Sequence, residues 1–293
     1  MKSTFSPLPL RWLIPAVIAA GSLSAQPNVA ARADAAAAPN YEIYAIKYAT
    51  LKGYPLGGLV EGESRATKLD IGMYIWLIKG GGRTMLFDCG FYRPQFMRQW
   101  KPGDYEIPSA AIGRMGLKPT DITDVIISHI HWDHADGFDL FPNAKIWIQK
   151  EELEYYAGEA WSGGKKRTAA DPDDIVGIVR MNTEGRVGLV NGDAQEFLPG
   201  ITAYLGGKHT YASQYIGVKT AAGTVILASD NVYMYLNLEK HEPIAQSLDR
   251  ESNLRAQDRM KQLAAKPELI LPGHDPAVMT KFPEVAPNVV KIQ

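Results

Sequence analysis

One cysteine in 293 residues, Cys89, excludes an intrachain disulfide; its place between a strand-like run and a turn marks a buried, inert thiol. Neither sign of charge dominates. With 31 basic against 32 acidic side chains, the chain has no electrostatic footprint for nucleic acid or for an anionic membrane surface. No basic cluster is present to hold a phosphorylated substrate, and no internal repeat is evident. A membrane-length apolar run is missing too: Trp12-Leu13-Ile14-Pro15-Ala16-Val17-Ile18-Ala19-Ala20 is short and is interrupted by Pro15. What remains is 46% apolar composition, enough to bury a sizeable core in one or two domains.

The N-terminal apolar run has another use. Lys2 and Arg11 precede it, small residues follow, and cleavage points fall near Ala25 or after Ala31-Arg32-Ala33. Basic start, short apolar centre and small residues together read as a secretory signal. No cysteine follows to carry a lipid, and the Ala-rich stretch to Pro39-Asn40 continues as a disordered leader. Residues 1–38 are therefore expected to be signal and leader, and residues 39–293 the folded domain. The mature chain is expected in the periplasm or outside the cell, without stable membrane insertion once the signal is cut.

Histidine is scarce, and half of it is concentrated in one place. Val125-Ile126-Ile127 reads as a buried strand, and Ser128-His129-Ile130-His131-Trp132-Asp133-His134 follows directly. Three imidazoles and a carboxylate at a strand's carboxyl end can converge on one point, and neutral imidazole with carboxylate suits zinc and similar divalent ions. Four such ligands could close one structural site, but the other strand ends argue for more. His209 follows Ile201-Thr202-Ala203-Tyr204-Leu205, Asp230 ends Thr224-Val225-Ile226-Leu227-Ala228-Ser229, and His274 follows Glu268-Leu269-Ile270-Leu271. Seven ligands are too many for one tetrahedral ion and suit two ions sharing a bridge. His241, among charged neighbours and with no strand before it, reads as a surface residue.

The ordered set His129, His131, Asp133, His134, His209, Asp230 and His274 resembles the metallo-β-lactamase superfamily. Tyr233, three residues after Asp230, is similar to the N-acyl-homoserine lactonase, or quorum-quenching, branch. The resemblance spans roughly residues 41 to 280. It implies that one ion takes His129, His131 and His209, that the other takes Asp133, His134 and His274, and that Asp230 bridges them. It also matches Asp88, in Asp88-Cys89-Gly90, to the superfamily's Asp-x-Gly turn, which supports the ligands from behind. The surroundings of His209 depart from the pattern: Lys208 and Tyr211 flank it where a Pro-Gly-His segment is common in that branch.

Tyr41 to Tyr48 and Ile71 to Ile78 read as strands, and Gly80-Gly81-Gly82 turns the second into Arg83 to Phe87 as a hairpin. Further strands are expected at 186–190, 202–205, 215–219 and 224–228. Helices are expected at 109–117, 151–158 and 250–266. Mixed hairpins with flanking helices suit an α/β fold, two mixed β-sheets sandwiched between helices, and the resemblance implies the same αββα layering.

Two divalent ions, zinc or alternatively iron, manganese or cobalt, would lower the pKa of a bridging water from about 15.7 toward about 7. The resulting hydroxide would attack an ester or lactone carbonyl. Tyr233 would hydrogen-bond the oxyanion or the leaving oxygen, unless it serves only in packing, and Asp133 would pass the proton to the departing alkoxide. The expected substrate is a small lactone or ester, with N-acyl-homoserine lactones foremost. An organophosphate or aryl-ester hydrolase shares every ligand, whereas a β-lactamase is disfavoured by Asp230 standing where cysteine or serine would be expected. The Gly-rich, apolar segment Thr50 to Val60 is expected to be either a lid over an acyl chain or a loop packed on the domain or on a second subunit, as in a homodimer. Phe91, Tyr92 and Trp161 are candidates for an apolar wall.

Overall fold

The computed structural model describes residues 40–164 and 169–293, so the expected signal and leader lie outside the described residues. The chain forms strands β1 (Glu42–Pro55), β2 (Lys68–Gly80), β3 (Arg83–Phe87), β4 (Asp124–Ile126), β5 (Lys145–Gln149) and β6 (Val187–Val190). It continues with β7 (Gln195–Leu198), β8 (Ile201–Leu205), β9 (Gln214–Thr220), β10 (Gly223–Ser229), β11 (Ile270–Pro272), β12 (Glu284–Ala286) and β13 (Val289–Lys291). Eight of them make a mixed sheet in the order β12-β13-β1-β2-β3-β4-β5-β6, and five make a second in the order β11-β10-β9-β8-β7. In the first sheet β3, β4, β5 and β6 run parallel; in the second only β10 and β11 do.

The two-residue period of the strands separates three cores. On β2, Ile75 and Leu77 face helices that contribute Phe96, Leu153 and Ile178, while Tyr74, Trp76 and Ile78 face the second sheet's Ile216, Val218 and Leu227. The outer side of the second sheet packs Tyr215 and Ile226 on Ala256 and Met260 of the helix Arg250–Leu263. These layers are the αββα sandwich. Among the described residues, no helix is long and apolar enough to cross a membrane.

Some elements differ from expectation. The helix expected at 109–117 is only Pro108–Ala111, followed by a 3-10 turn at Ile112–Met115 that stops at Gly116, where φ is 69°. The helices Pro94–Trp100 and Pro172–Thr183 were not expected; each starts with proline, and Asp171 caps the second through Asp173 N. The expected loop at 50–60 is mostly strand. β1 continues to Pro55, paired with β2 as far as Lys68 through two register shifts, and a 3-10 turn at Leu56–Gly58 follows. Bulges of this kind add twist and bend a hairpin away from its sheet. This one brings Leu51, Tyr54 and Leu59 onto the wall of the cavity described next.

Candidate metal centre

Each candidate ligand sits where a strand has just ended. The loop after β4 carries His129 and His131, and its helical turn Trp132–Ala135 carries Asp133 and His134. His209 follows β8, Asp230 follows β10 and His274 follows β11. The two glycines before His209 are there for space: a Cβ on Gly206 would lie 1.8 Å from Asn231 Oδ1, and one on Gly207 would lie 2.3 Å from Asn253 Nδ2.

All seven side chains meet. The donors of His129, His131, His209 and Asp230 lie within 4.8 Å of one another, as do those of Asp133, His134, Asp230 and His274. Asp230 serves both sets. Its Oδ2 stands 3.7 Å from His129 Nε2 and 3.3 Å from His209 Nε2, and its Oδ1 stands 3.1 Å from His134 Nε2 and 2.9 Å from His274 Nε2. Asp133 Oδ2 completes the second set at 3.4 Å from His134 Nε2 and 3.6 Å from His274 Nε2. Donors around a tetrahedral zinc at 2.0–2.1 Å are roughly 3.3 Å apart, so these spacings fit an ion in each set. His129 Nε2, His134 Nε2 and Asp230 Oδ1 are buried without a hydrogen-bond partner, which a protein tolerates where a cation is the partner.

The outward nitrogens fix the tautomers. His274 Nδ1 donates to Gly72 O at 3.0 Å, and His209 Nδ1 donates to Gln246 O at 3.2 Å. His134 Nδ1 meets Asp88 Oδ2 at 2.8 Å, and His129 Nδ1 meets Ser128 Oγ at 2.8 Å. With the proton held on Nδ1, Nε2 keeps its lone pair for an ion. Asp88, at φ 60°, also takes Ser128 N from the loop after β4 and Ser229 Oγ from the end of β10, at 2.8 and 2.9 Å.

The model of the metallo-β-lactamase superfamily matches residues 73–274, a span that includes all seven ligands. The chain belongs to this superfamily. An N-acyl homoserine lactonase of Bacillus cereus is 30% identical over 192 residues, 65% of this chain and 70% of the relative. The N-acyl homoserine lactonase AiiA of Bacillus thuringiensis subsp. kurstaki is 27% identical over 219 residues, 74% of this chain and 79% of the relative. Among solved structures, an N-acyl homoserine lactone hydrolase with N-hexanoyl-L-homoserine bound at its catalytic metal centre superposes with a TM-score of 0.68. It is 21% identical, and the match covers 83% of this chain and 97% of that one. The chain is thus a metal-dependent hydrolase fold of the superfamily's lactonase branch.

Asp88, expected from its Asp-x-Gly turn, does brace this metallo-β-lactamase centre, but sequence reasoning passed over two further braces. Glu152 is fully buried; its carboxylate accepts Ile130 N at 3.1 Å, Thr210 Oγ1 at 2.6 Å and Ala212 N at 2.7 Å. It thereby ties the His129–His131 loop to the His209 loop. Its signal was helical phase alone, since it shares a face with Gln149, Leu153 and Tyr156, all of them buried. Asn231 Oδ1 similarly holds Gly207 N at 2.9 Å and Ser213 Oγ at 3.0 Å.

The expected apolar wall is made by other residues. Phe91 is fully buried behind Trp132, with ring centroids 4.5 Å apart. Tyr92 hydrogen-bonds Asp139, and Trp161 donates to Tyr156 O. None of these three lines the cavity over the ligands; Leu51, Leu59, Ile71, Trp100 and Trp132 do, with Tyr54, Tyr233 and Gln246 as its polar members. His241 is exposed and pairs with Asp258 at 3.0 Å, away from the centre. A third group of carboxylates, Asp136, Asp171 and Asp174, already holds a cation, because the Arg93 guanidinium binds Asp136 and Asp174.

Protonation divides the centre. Burial and neighbouring imidazoles push His129 well below its ordinary range and bring His131 to about 3, so both are neutral ligands at pH 7. Burial also opposes charge on His134 and His274, but the carboxylates of Asp230 and Asp133 outweigh it and raise both. In the metal-free protein an ion on the Asp133–His134–His274 side therefore competes with protons more strongly than one on the other side. Below the raised pKa values of His134 and His274, affinity on that side is expected to rise about tenfold per pH unit for each proton displaced, and to level off above them. Calorimetric titration in buffers of different ionisation enthalpy checks this; binding without proton release would contradict it.

Proposed function

We infer that this protein opens lactone rings, N-acyl-homoserine lactones foremost, as an exported dinuclear metallo-hydrolase. The observation that carries the reading is Tyr233, which lines the cavity together with His131, Asp133, Asp230 and His274. Its oxygen is 3.4 Å from His209 Nδ1, whose proton is directed to Gln246 O, so Tyr233 has its own proton free to donate. Burial and the nearby Asp230 carboxylate push the phenol's pKa well up, so it stays a donor at any working pH. The relatives named as N-acyl homoserine lactonases support the substrate class.

His129, His131 and His209 would hold one divalent ion, and Asp133, His134 and His274 the other, with Asp230 between them. Zinc suits this nitrogen and oxygen set, as do iron, manganese and cobalt. When bound, such ions supply Lewis acidity and an acidified water at neutral pH. The chain's own groups do the rest. Tyr233 donates to the oxygen on which negative charge develops. Asp133, with Oδ2 turned to His134 and His274, has a second oxygen to carry a proton to the ring oxygen, which stays on the product as a hydroxyl. The wall of Leu51, Leu59, Ile71, Trp100 and Trp132 offers an apolar surface to an acyl chain. The basic and apolar N-terminal run supports export to the periplasm or beyond.

Acid release from N-hexanoyl-homoserine lactone, measured beside paraoxon and an aryl ester, tests the reading. The lactone is expected to be the best substrate; a preference for paraoxon would replace lactonase by organophosphate hydrolase. Tyr233→Phe is expected to lower kcat for the lactone by about 100-fold with metal content unchanged. Wild-type rates in that variant would assign Tyr233 to packing.

A further inference from the structure

Two polar side chains on the cavity wall belong neither to the donor set nor to Tyr233. Gln246 Nε2 stands 3.3 Å from Gly58 O and 3.3 Å from Tyr54 Oη. A carbonyl oxygen only accepts, so the nitrogen of the Gln246 amide must face Gly58, and this fixes which way the amide points. Both its hydrogens are then spent, one on Gly58 O and one on Tyr54 Oη. Tyr54 accepts, which leaves its own proton free. Gln246 Oε1 accepts no hydrogen bond from any described residue. The pair therefore presents one unused donor and one unused acceptor side by side.

Their position is fixed from both ends. The β1–β2 hairpin, bent by its register shift between Leu51 and Tyr54, carries Tyr54 over the ligands. The main-chain oxygen of Gln246 holds His209 Nδ1, which anchors that residue directly above the metal floor. Burial raises the Tyr54 phenol pKa, outweighing the Gln246 N–H that lowers it, and Asp133 and Asp230 add to the rise, so the hydroxyl remains protonated.

The geometry points to Tyr54 and Gln246 as a subsite that reads a secondary amide next to the scissile carbonyl, with Gln246 Oε1 accepting the N–H and Tyr54 donating to the C=O. This inference rests on the lactonase reading and narrows it to lactones bearing an acylamino group. A plain γ-lactone, an aryl ester or a phosphotriester brings acceptors but no N–H, and on binding would displace water from Gln246 Oε1 without replacing its hydrogen bond.

The test compares kcat/KM for N-hexanoyl-homoserine lactone with that for γ-decalactone, which has no amide, in wild type, Tyr54→Phe and Gln246→Leu. Gln246 lies at the exposed lip, and its variant keeps the main-chain oxygen that His209 uses. Wild type is expected to favour the amide-bearing lactone at least about tenfold, and each variant to reduce that ratio by about fivefold, through KM. A ratio that stays constant while both activities fall would make the pair mere wall packing and overturn the inference. Equal turnover of the two lactones by wild type would overturn the inference and leave the lactonase reading standing. Failure to open either would sink both.

Discussion

Asp230→Asn is expected to cut lactone turnover by about a thousandfold or more and to leave at most one ion per chain. Asp230 is the only ligand with both oxygens committed: Oδ1 faces His134 and His274, and Oδ2 faces His129 and His209. Asparagine keeps the shape but replaces one oxygen by an NH2 group. That group has no lone pair to offer and points its protons at imidazole nitrogens that should be binding an ion. One half of the centre therefore loses a ligand, and both lose the shared negative charge. Metal analysis and acid release on the same preparation check this. A variant with two ions and activity within tenfold of wild type would remove Asp230 from the bridge.

The second large effect is expected at a buried residue behind the ligand loops. Glu152→Ala deletes the acceptor of three donors, Ile130 N, Thr210 Oγ1 and Ala212 N, in a fully buried place. Each buried donor left unpaired costs about 1–3 kcal/mol, so a loss of about 3–5 kcal/mol is expected after partial relaxation. The loss should not be uniform. Ile130 lies between His129 and His131, and Thr210 follows His209, so the damage falls on the half of the centre those three build. Affinity there is expected to drop about 10–100-fold, as for other supports of metal ligands. Denaturant unfolding of the metal-free protein and a chelator competition separate the two effects. Equal destabilisation with unchanged metal affinity would make Glu152 an ordinary core residue.

The sequence made the donor set legible because every ligand follows a strand, and strand ends are where a β-rich chain can gather side chains without extra loops. His129 to His134 lie together in the chain, and Asp230 and His274 each end a short apolar run. The αββα layers were legible for the same reason: runs such as Gly72 to Ile78 are apolar on both faces and demand cover on both sides. The cavity wall was legible only in part: Thr50 to Val60 was expected as a lid or a packed loop, and its Leu51, Tyr54 and Leu59 do line the cavity, but its extended form was not foreseen. Thr50 to Val60 carries Gly53, Pro55, Gly57 and Gly58, which read locally as breakers, yet pairing with β2 keeps most of the segment extended. Trp100 reaches the wall by stacking on Trp132, 5.2 Å between centroids and 10° between planes, a pairing across 32 positions that no local pattern announces. Glu152 stands in Lys150-Glu151-Glu152, which looks like a solvated helix face until its phase against Leu153 and Tyr156 is considered. Tyr54 and Gln246 meet only because the hairpin curls back over the ligands.

The central claim is that two ions held by these seven side chains make a lactone-opening site. Adding divalent metal stepwise to the metal-free chain while following acid release from N-hexanoyl-homoserine lactone tests it most directly. The account predicts that activity climbs until two ions are bound per chain, stays flat beyond, and disappears on chelation. Full activity in the metal-free chain, or two bound ions with no ring opening, would contradict it.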